Sequence, residues 1–198
     1  MKALSLYALS LLLLTAVIGA SVPAQSEDNI LTNPGFETGN TKGWAHWCID
    51  SLVTGKEKHS GDYSVRLAEL GLPGEYKAGA LLQEVKEGFS CGKPLYASCW
   101  IKADNLDGEA FLKLEFWDKD GFCIESIEGE RITGTEDWTK IEISTPFVPL
   151  NTKTVKVLLQ LDSNIEKGKA AGVFFDRGRV YFDDLYLRVV SPKRGILF

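Results

Sequence analysis

Two tryptophans stand where an alternating strand pattern calls for small polar side chains. "YASCWIKA" (96–103) puts Ala97, Cys99, Ile101 and Ala103 on one face, and Ser98, Trp100 and Lys102 on the other. "AFLKLEFW" (110–117) sets Ala110, Leu112, Leu114 and Phe116 against Phe111, Lys113, Glu115 and Trp117. "VKVLLQLD" (155–162) sets Val155, Val157, Leu159 and Leu161 against Lys156, Leu158, Gln160 and Asp162. An indole on a polar face exposes a large apolar area unless something covers it. The axial C–H groups of a pyranose make a matching apolar patch, and its hydroxyls need Glu, Gln, Asp or Lys beside the ring. Trp117 and Trp100, with Glu115, Lys113, Gln160 and Asp162, are therefore candidate sugar contacts. Tyr76, Trp47 and Phe122 lie in or beside loops and are candidates for the rim of the same groove. The competing reading is that a loop or the chain termini pack over these tryptophans. Trp44 and Trp138 read instead as core anchors.

Catalytic chemistry finds little support. The chain has two histidines, His46 and His59, and no G-x-S-x-G, H-E-x-x-H or phosphate-loop pattern. Glycoside hydrolysis needs two carboxylates about 5 to 9.5 Å apart. Glu115 and Asp162 share a polar face and are the pair to test, but carboxylates on such a face more often accept hydroxyl hydrogen bonds. The expectation is that the chain is not an enzyme, with a small carbohydrate-active enzyme as the lesser alternative.

The elements that would position these residues are short strands. "TKIEIS" and "VYFDDLYLRVV" add two more, and no stretch offers a long amphipathic helix. "DKDG" (118–121) predicts a hairpin with its glycine in a left-handed conformation. "LPGE", "EGFSCGKP" and "NLDGE" predict further turns. Many strands at roughly ten-residue spacing predict an all-β fold, a jelly-roll β-sandwich of two antiparallel sheets.

Residues 1–24 read as a signal peptide: Lys2, then an apolar run over residues 4–20, then small residues ending at Ala24. An uncleaved anchor is the alternative. Residues 25–198 form one domain, secreted or extracytoplasmic and free of the membrane once the signal is cut. Loss of Lys2 takes the formal net charge from -5 to -6. An acidic chain without a Lys/Arg cluster argues against nucleic acid as a partner. Cys48, Cys91, Cys99 and Cys123 permit up to two disulfides in an exported protein, in three full pairings. Cys99 falls on an apolar strand face, so a buried free thiol is the alternative there.

"NPGFETGNTKGW" (33–44), "HSGDYSVRL" (59–67), "YASCWIKA" and "VYFDDLYL" stand in an order that resembles carbohydrate-binding modules of the family 4, 9 and 22 type, which are galactose-binding-domain-like jelly rolls. The resemblance runs from about Ile30 to Val190. It implies a non-catalytic module that binds a polysaccharide or oligosaccharide, of β-glucan or xylan type, on a concave sheet. It also implies a structural calcium site joining the first and last strands, built from Gly35, Glu37, Ser60, Tyr63 and Asp183, with Asp184 the weaker candidate for the last position. Glu37 and Asp183 would give carboxylates; Gly35, Ser60 and Tyr63 would give backbone oxygens. Such modules usually accompany a glycoside hydrolase, so a separate hydrolase is a possible partner. A structural or adhesive jelly roll without sugar binding is the alternative.

Overall fold

The computed structural model describes residues 28–69, 77–163 and 178–190. The signal segment and Tyr76 lie outside them. Among the described residues no helix is long and apolar enough to cross a membrane. The described residues form nine strands: β1 (Ala45–Trp47), β2 (Ile49–Thr54), β3 (Ser64–Glu69), β4 (Lys77–Val85), β5 (Leu95–Trp117), β6 (Cys123–Glu128), β7 (Ile132–Thr145), β8 (Thr154–Ser163) and β9 (Arg179–Val189). Every pairing between these strands is antiparallel.

β5 belongs to both layers of the sandwich. Its first half pairs with β9 on one side and β7 on the other. Its second half, from Glu109, pairs with β8 and β6. The back layer therefore runs β2-β3-β9-β5-β7, and the front layer β1-β4-β8-β5-β6. This is the expected jelly-roll sandwich. The expected break at "NLDGE" is instead a corner at which the strand continues. Register shifts fall between Ala103 and Leu106 and between Leu106 and Ala110. Asn105 has φ 51 and Gly108 φ 155. Odd-numbered residues face the core before the corner and even-numbered ones after it: Ala97, Cys99, Ile101 and Ala103, then Ala110, Leu112, Leu114 and Phe116, are all buried. A bulge changes which parity faces inward without reversing the chain.

The core fills the space between the layers, with β8 giving Val155, Val157, Leu159 and Leu161 and β9 giving Val180, Phe182, Leu185 and Leu187. Trp44 is buried as expected, stacked obliquely on Phe36 at 5.6 Å, and its indole N–H donates to the Asn33 carbonyl. Trp138 is not a core anchor. It is half-buried on β7, because its parity points away from the core face that holds Ile141 and Ile143. All four cysteines are free thiols. Cys99 is the buried one, and burial pushes its thiol pKa far up.

Gly178, at φ 81, packs against the β5 corner. A Cβ there would stand 2.6 Å from the Asp104 carbonyl oxygen and closer still to that of Asn105. Gly178→Ala should therefore cost at least about 2 kcal/mol of unfolding free energy in urea. Gly134→Ala, at φ 68 in open space, should cost only about 1 kcal/mol. Equal losses would mean that the corner does not need the close approach.

Candidate functional site

The antiparallel register puts one set of residues on the outer face of the front layer. Across the sheet, Trp47, Ala80, Gln160 and Phe111 are successive partners. The next row is Ala45, Leu82, Leu158, Lys113 and Glu128, and the one after it Glu84, Lys156, Glu115 and Ser126. Trp117 lies at the far end, opposite Thr154 and Cys123. Six of the residues expected to contact sugar thus share this face: Trp117, Glu115, Lys113, Gln160, Asp162 and Trp47. Three strand spacings of about 4.8 Å separate Trp47 from Phe111, about 14 Å in all.

The centre is organised by a residue that the strand pattern did not single out. The Arg131 guanidinium lies 3.9 Å over the Phe111 ring. It pairs with Glu109 at 2.5 Å, Glu128 at 2.7 Å and Asp162 at 3.5 Å. Glu128, and after it Glu109, raise the Arg131 pKa. Phe111 is buried beneath it. Gln160 extends the network by donating to Asp162 at 2.8 Å. A planar guanidinium fixed on a ring is a rigid donor array, suited to paired oxygens. Arg131 was missed because it lies in "GER", outside any alternating run. The available signal was the crowding of Glu109, Glu128 and Asp162, which needs a cation.

Trp117 is not a bare platform. It is half-buried, and the Lys156 ammonium sits 4.0 Å over its ring. Its indole N–H donates to Glu115 at 3.0 Å, and Glu115 pairs with Lys113 at 3.2 Å. Lys156 is itself tied to Glu84 at 3.3 Å. The more open rings are at the margins: Trp47 is 49% exposed at the β1 edge and Phe122 70% at the β5–β6 hairpin.

Trp100 is not on this face. It lies in the first half of β5, on the outer side of the back layer, because the corner separates the two halves of the strand. His59 stacks on it at 3.8 Å and meets Trp138 edge-on at 5.8 Å. Trp100 therefore belongs to the neighbourhood of the candidate metal ligands.

Those ligands converge in part. A Cβ at Gly35 would meet Asp183 Oδ1 at 3.6 Å and Glu37 Oε1 at 3.7 Å, so carboxylates from opposite ends of the chain meet over one glycine. Asp183 is fully buried and accepts N–H groups from His59, Ser60 and Asp184. Burial, and then the neighbouring Asp184, push its pKa up to about 7. Glu37 accepts the N–H groups of Asp62 and Tyr63 and lies against Gly61, where a Cβ would fall 2.8 Å from Oε2. Ser60 and Tyr63, expected to offer carbonyl oxygens, thus reach these carboxylates through their N–H groups. Asp184 turns instead to His59, at 2.6 Å, and to the Ser60 hydroxyl. Among the described residues no lysine or arginine pairs with Glu37 or Asp183. No cluster of three metal-binding side chains occurs there either, so an ion would need main-chain oxygens as well. Two converging carboxylates are hard oxygen donors of the kind calcium takes.

Glu115 and Asp162 share the front face without forming a catalytic pair. Glu115 is opposite Lys156, six residues along β8 from Asp162, a separation of about 20 Å.

By sequence the chain matches no family model and no curated protein. Solved structures do share its fold. The xylan-binding domain CBM22-1 of Paenibacillus barcinonensis Xyn10C is 15% identical, with a TM-score of 0.60 over 85% of this chain and 99% of that domain. TmCBM61, solved with β-1,4-galactotriose, is 23% identical, with a TM-score of 0.53 over 82% of this chain and 99% of its own. The enzymatically active domain of bacteriophage CBA120 tailspike protein 4 is 13% identical with a TM-score of 0.62, and this chain covers 21% of it. At these identities the likeness is one of fold: a jelly-roll β-sandwich of the kind seen in carbohydrate-binding modules.

Proposed function

We propose that this chain is a secreted, non-catalytic module that binds a polysaccharide, of β-glucan or xylan type, on the outer face of the front sheet. The observation that carries the reading is that Trp47, Gln160, Asp162, Lys113, Glu115 and Trp117 share one sheet face, with Arg131 on Phe111 at its centre. Aromatic carbon beside oriented donors and acceptors is what a sugar ring requires. Of two structures of the same fold, one is a xylan-binding domain and the other was solved with β-1,4-galactotriose. Among the described residues the face carries five carboxylates, Glu84, Glu109, Glu115, Glu128 and Asp162, against Lys113, Lys156, Arg131 and, on Glu84, Lys86. That excess of negative charge suits a neutral glycan better than a uronate polymer. The separation of Glu115 from Asp162 supports a binding role over hydrolysis.

Affinity electrophoresis through gels containing xylan, β-glucan, galactan, mannan or no polysaccharide tests this. At least one glycan should retard the protein, and Trp47→Ala and Arg131→Ala should each weaken retardation about tenfold. Equal mobility of folded protein in every gel would overturn the reading and favour a structural or adhesive role.

The same reading gives the Glu37–Asp183 site to a structural calcium ion. The ion would neutralise two carboxylates and tie the opening loop to β9; it would take no part in sugar contact. Millimolar calcium should raise Tm by several degrees over an EDTA control, and magnesium by less. Glu37→Gln should remove most of that rise. A calcium response unchanged in Glu37→Gln would place the ion elsewhere.

A further inference from the structure

We infer that Phe122 and Ile124 form an additional sugar subsite at the hairpin end of the front face, separate from its Arg131 centre. The inference rests on the sugar-binding reading and adds to it where contact is made and with what length of glycan. Phe122 is 70% exposed and Ile124 42%. Both belong to the segment that turns back beside Trp117, since Cys123 is the β6 partner of Trp117.

The loop holds Phe122 out. Asp118 Oδ1 accepts the N–H groups of Asp120 and Phe122, both at 2.9 Å. The Asp118 N–H donates to the Phe122 carbonyl at 2.9 Å, and Gly121 takes the left-handed turn at φ 82. With both backbone groups of Phe122 held, a ligand that stacks on its ring need order only the side chain and not the loop. Trp117 is closed by contrast, with Lys156 over its ring and Glu115 on its N–H. At this end the accessible aromatic surface is therefore that of Phe122.

The spacing sets the ligand. Trp117 is six residues along β5 from Phe111, about 20 Å. A glycan on the Arg131 centre reaches Phe122 only if it is several sugars long, and a short one leaves the hairpin untouched. Lys113 and Glu115 line the path between them with groups for sugar hydroxyls.

Calorimetric titrations of wild type, Phe122→Ala and Phe122→Trp with hexaoses and trioses of xylose, cellulose and β-1,4-galactan test the subsite. For the glycan that binds, Phe122→Ala should weaken the hexaose about tenfold and leave the triose within about twofold. Phe122→Trp should bind the hexaose at least as tightly as wild type. Phe122 is outside the core, so unchanged thermal unfolding should accompany these effects. Wild-type hexaose affinity in Phe122→Ala, or equal loss for both lengths, would overturn the subsite and leave the sugar-binding reading standing. If wild type binds no oligosaccharide of either length, both fall together.

Discussion

β5 hydrogen-bonds to four other strands, and that pairing places almost every residue of interest. Side chains alternate along a strand, so a one-residue slip in its second half would send Lys113, Glu115 and Trp117 into the core and bring Leu112, Leu114 and Phe116 out. The buried row forbids this. The same leucines that hold the layers together therefore fix the polar residues of the front face. The first half works the same way on the back layer, where Cys99 and Ile101 face in and Trp100 faces out beneath His59.

How much of this could be read from the residues depended on where the information lay. Alternation is a local property, and the inward rows of 97–103, 110–116 and 155–161 were all legible from it. So was the "DKDG" hairpin, because its glycine requirement is local as well. The path between Ala103 and Ala110 was not. The inward set changes from odd to even across "DNLDGE", which demands a break in the pleat. A turn and a bulged corner both satisfy that demand with the same Asn, Asp and Gly. Only the partners of each half decide between them, and those are distant in sequence. Grouping Trp100 with Trp117 followed from this ambiguity. Once the strand changes layers, two outward tryptophans on one strand point to opposite sides of the sandwich.

Arg131 shows a second limit. Its position follows from three carboxylates supplied by β5, β6 and β8 and from the Phe111 ring beneath, none of which is its sequence neighbour in a strand pattern. Exposed ion pairs contribute little singly. Here one guanidinium serves three acids and an aromatic face at once, so its geometry is constrained from several directions. The Trp117 end behaves similarly. Lys156, Glu84, Glu115 and Lys113 form alternating charges around the indole, and this turns an expected stacking plate into part of the wall.

The two candidate sites also divide the work of the fold. The Glu37–Asp183 pair sits where the opening loop meets β9, with the Pro34 carbonyl accepting from Leu185 N–H and the Leu187 carbonyl from Ile30 N–H. Asp183 buries its carboxyl group beside Asp184, and the charged form there costs stability unless a cation or a proton offsets it. Its neighbours are His59 and Trp100, with Trp138 against His59, on the back layer, whereas Arg131 and its acids occupy the front. The link between them is the continuous β5 strand and the core it carries. A cation at Glu37–Asp183 would thus act on the front face through the stability of the whole sandwich, since among the described residues the pair's hydrogen bonds all go to backbone N–H groups of residues 59–63 and 184.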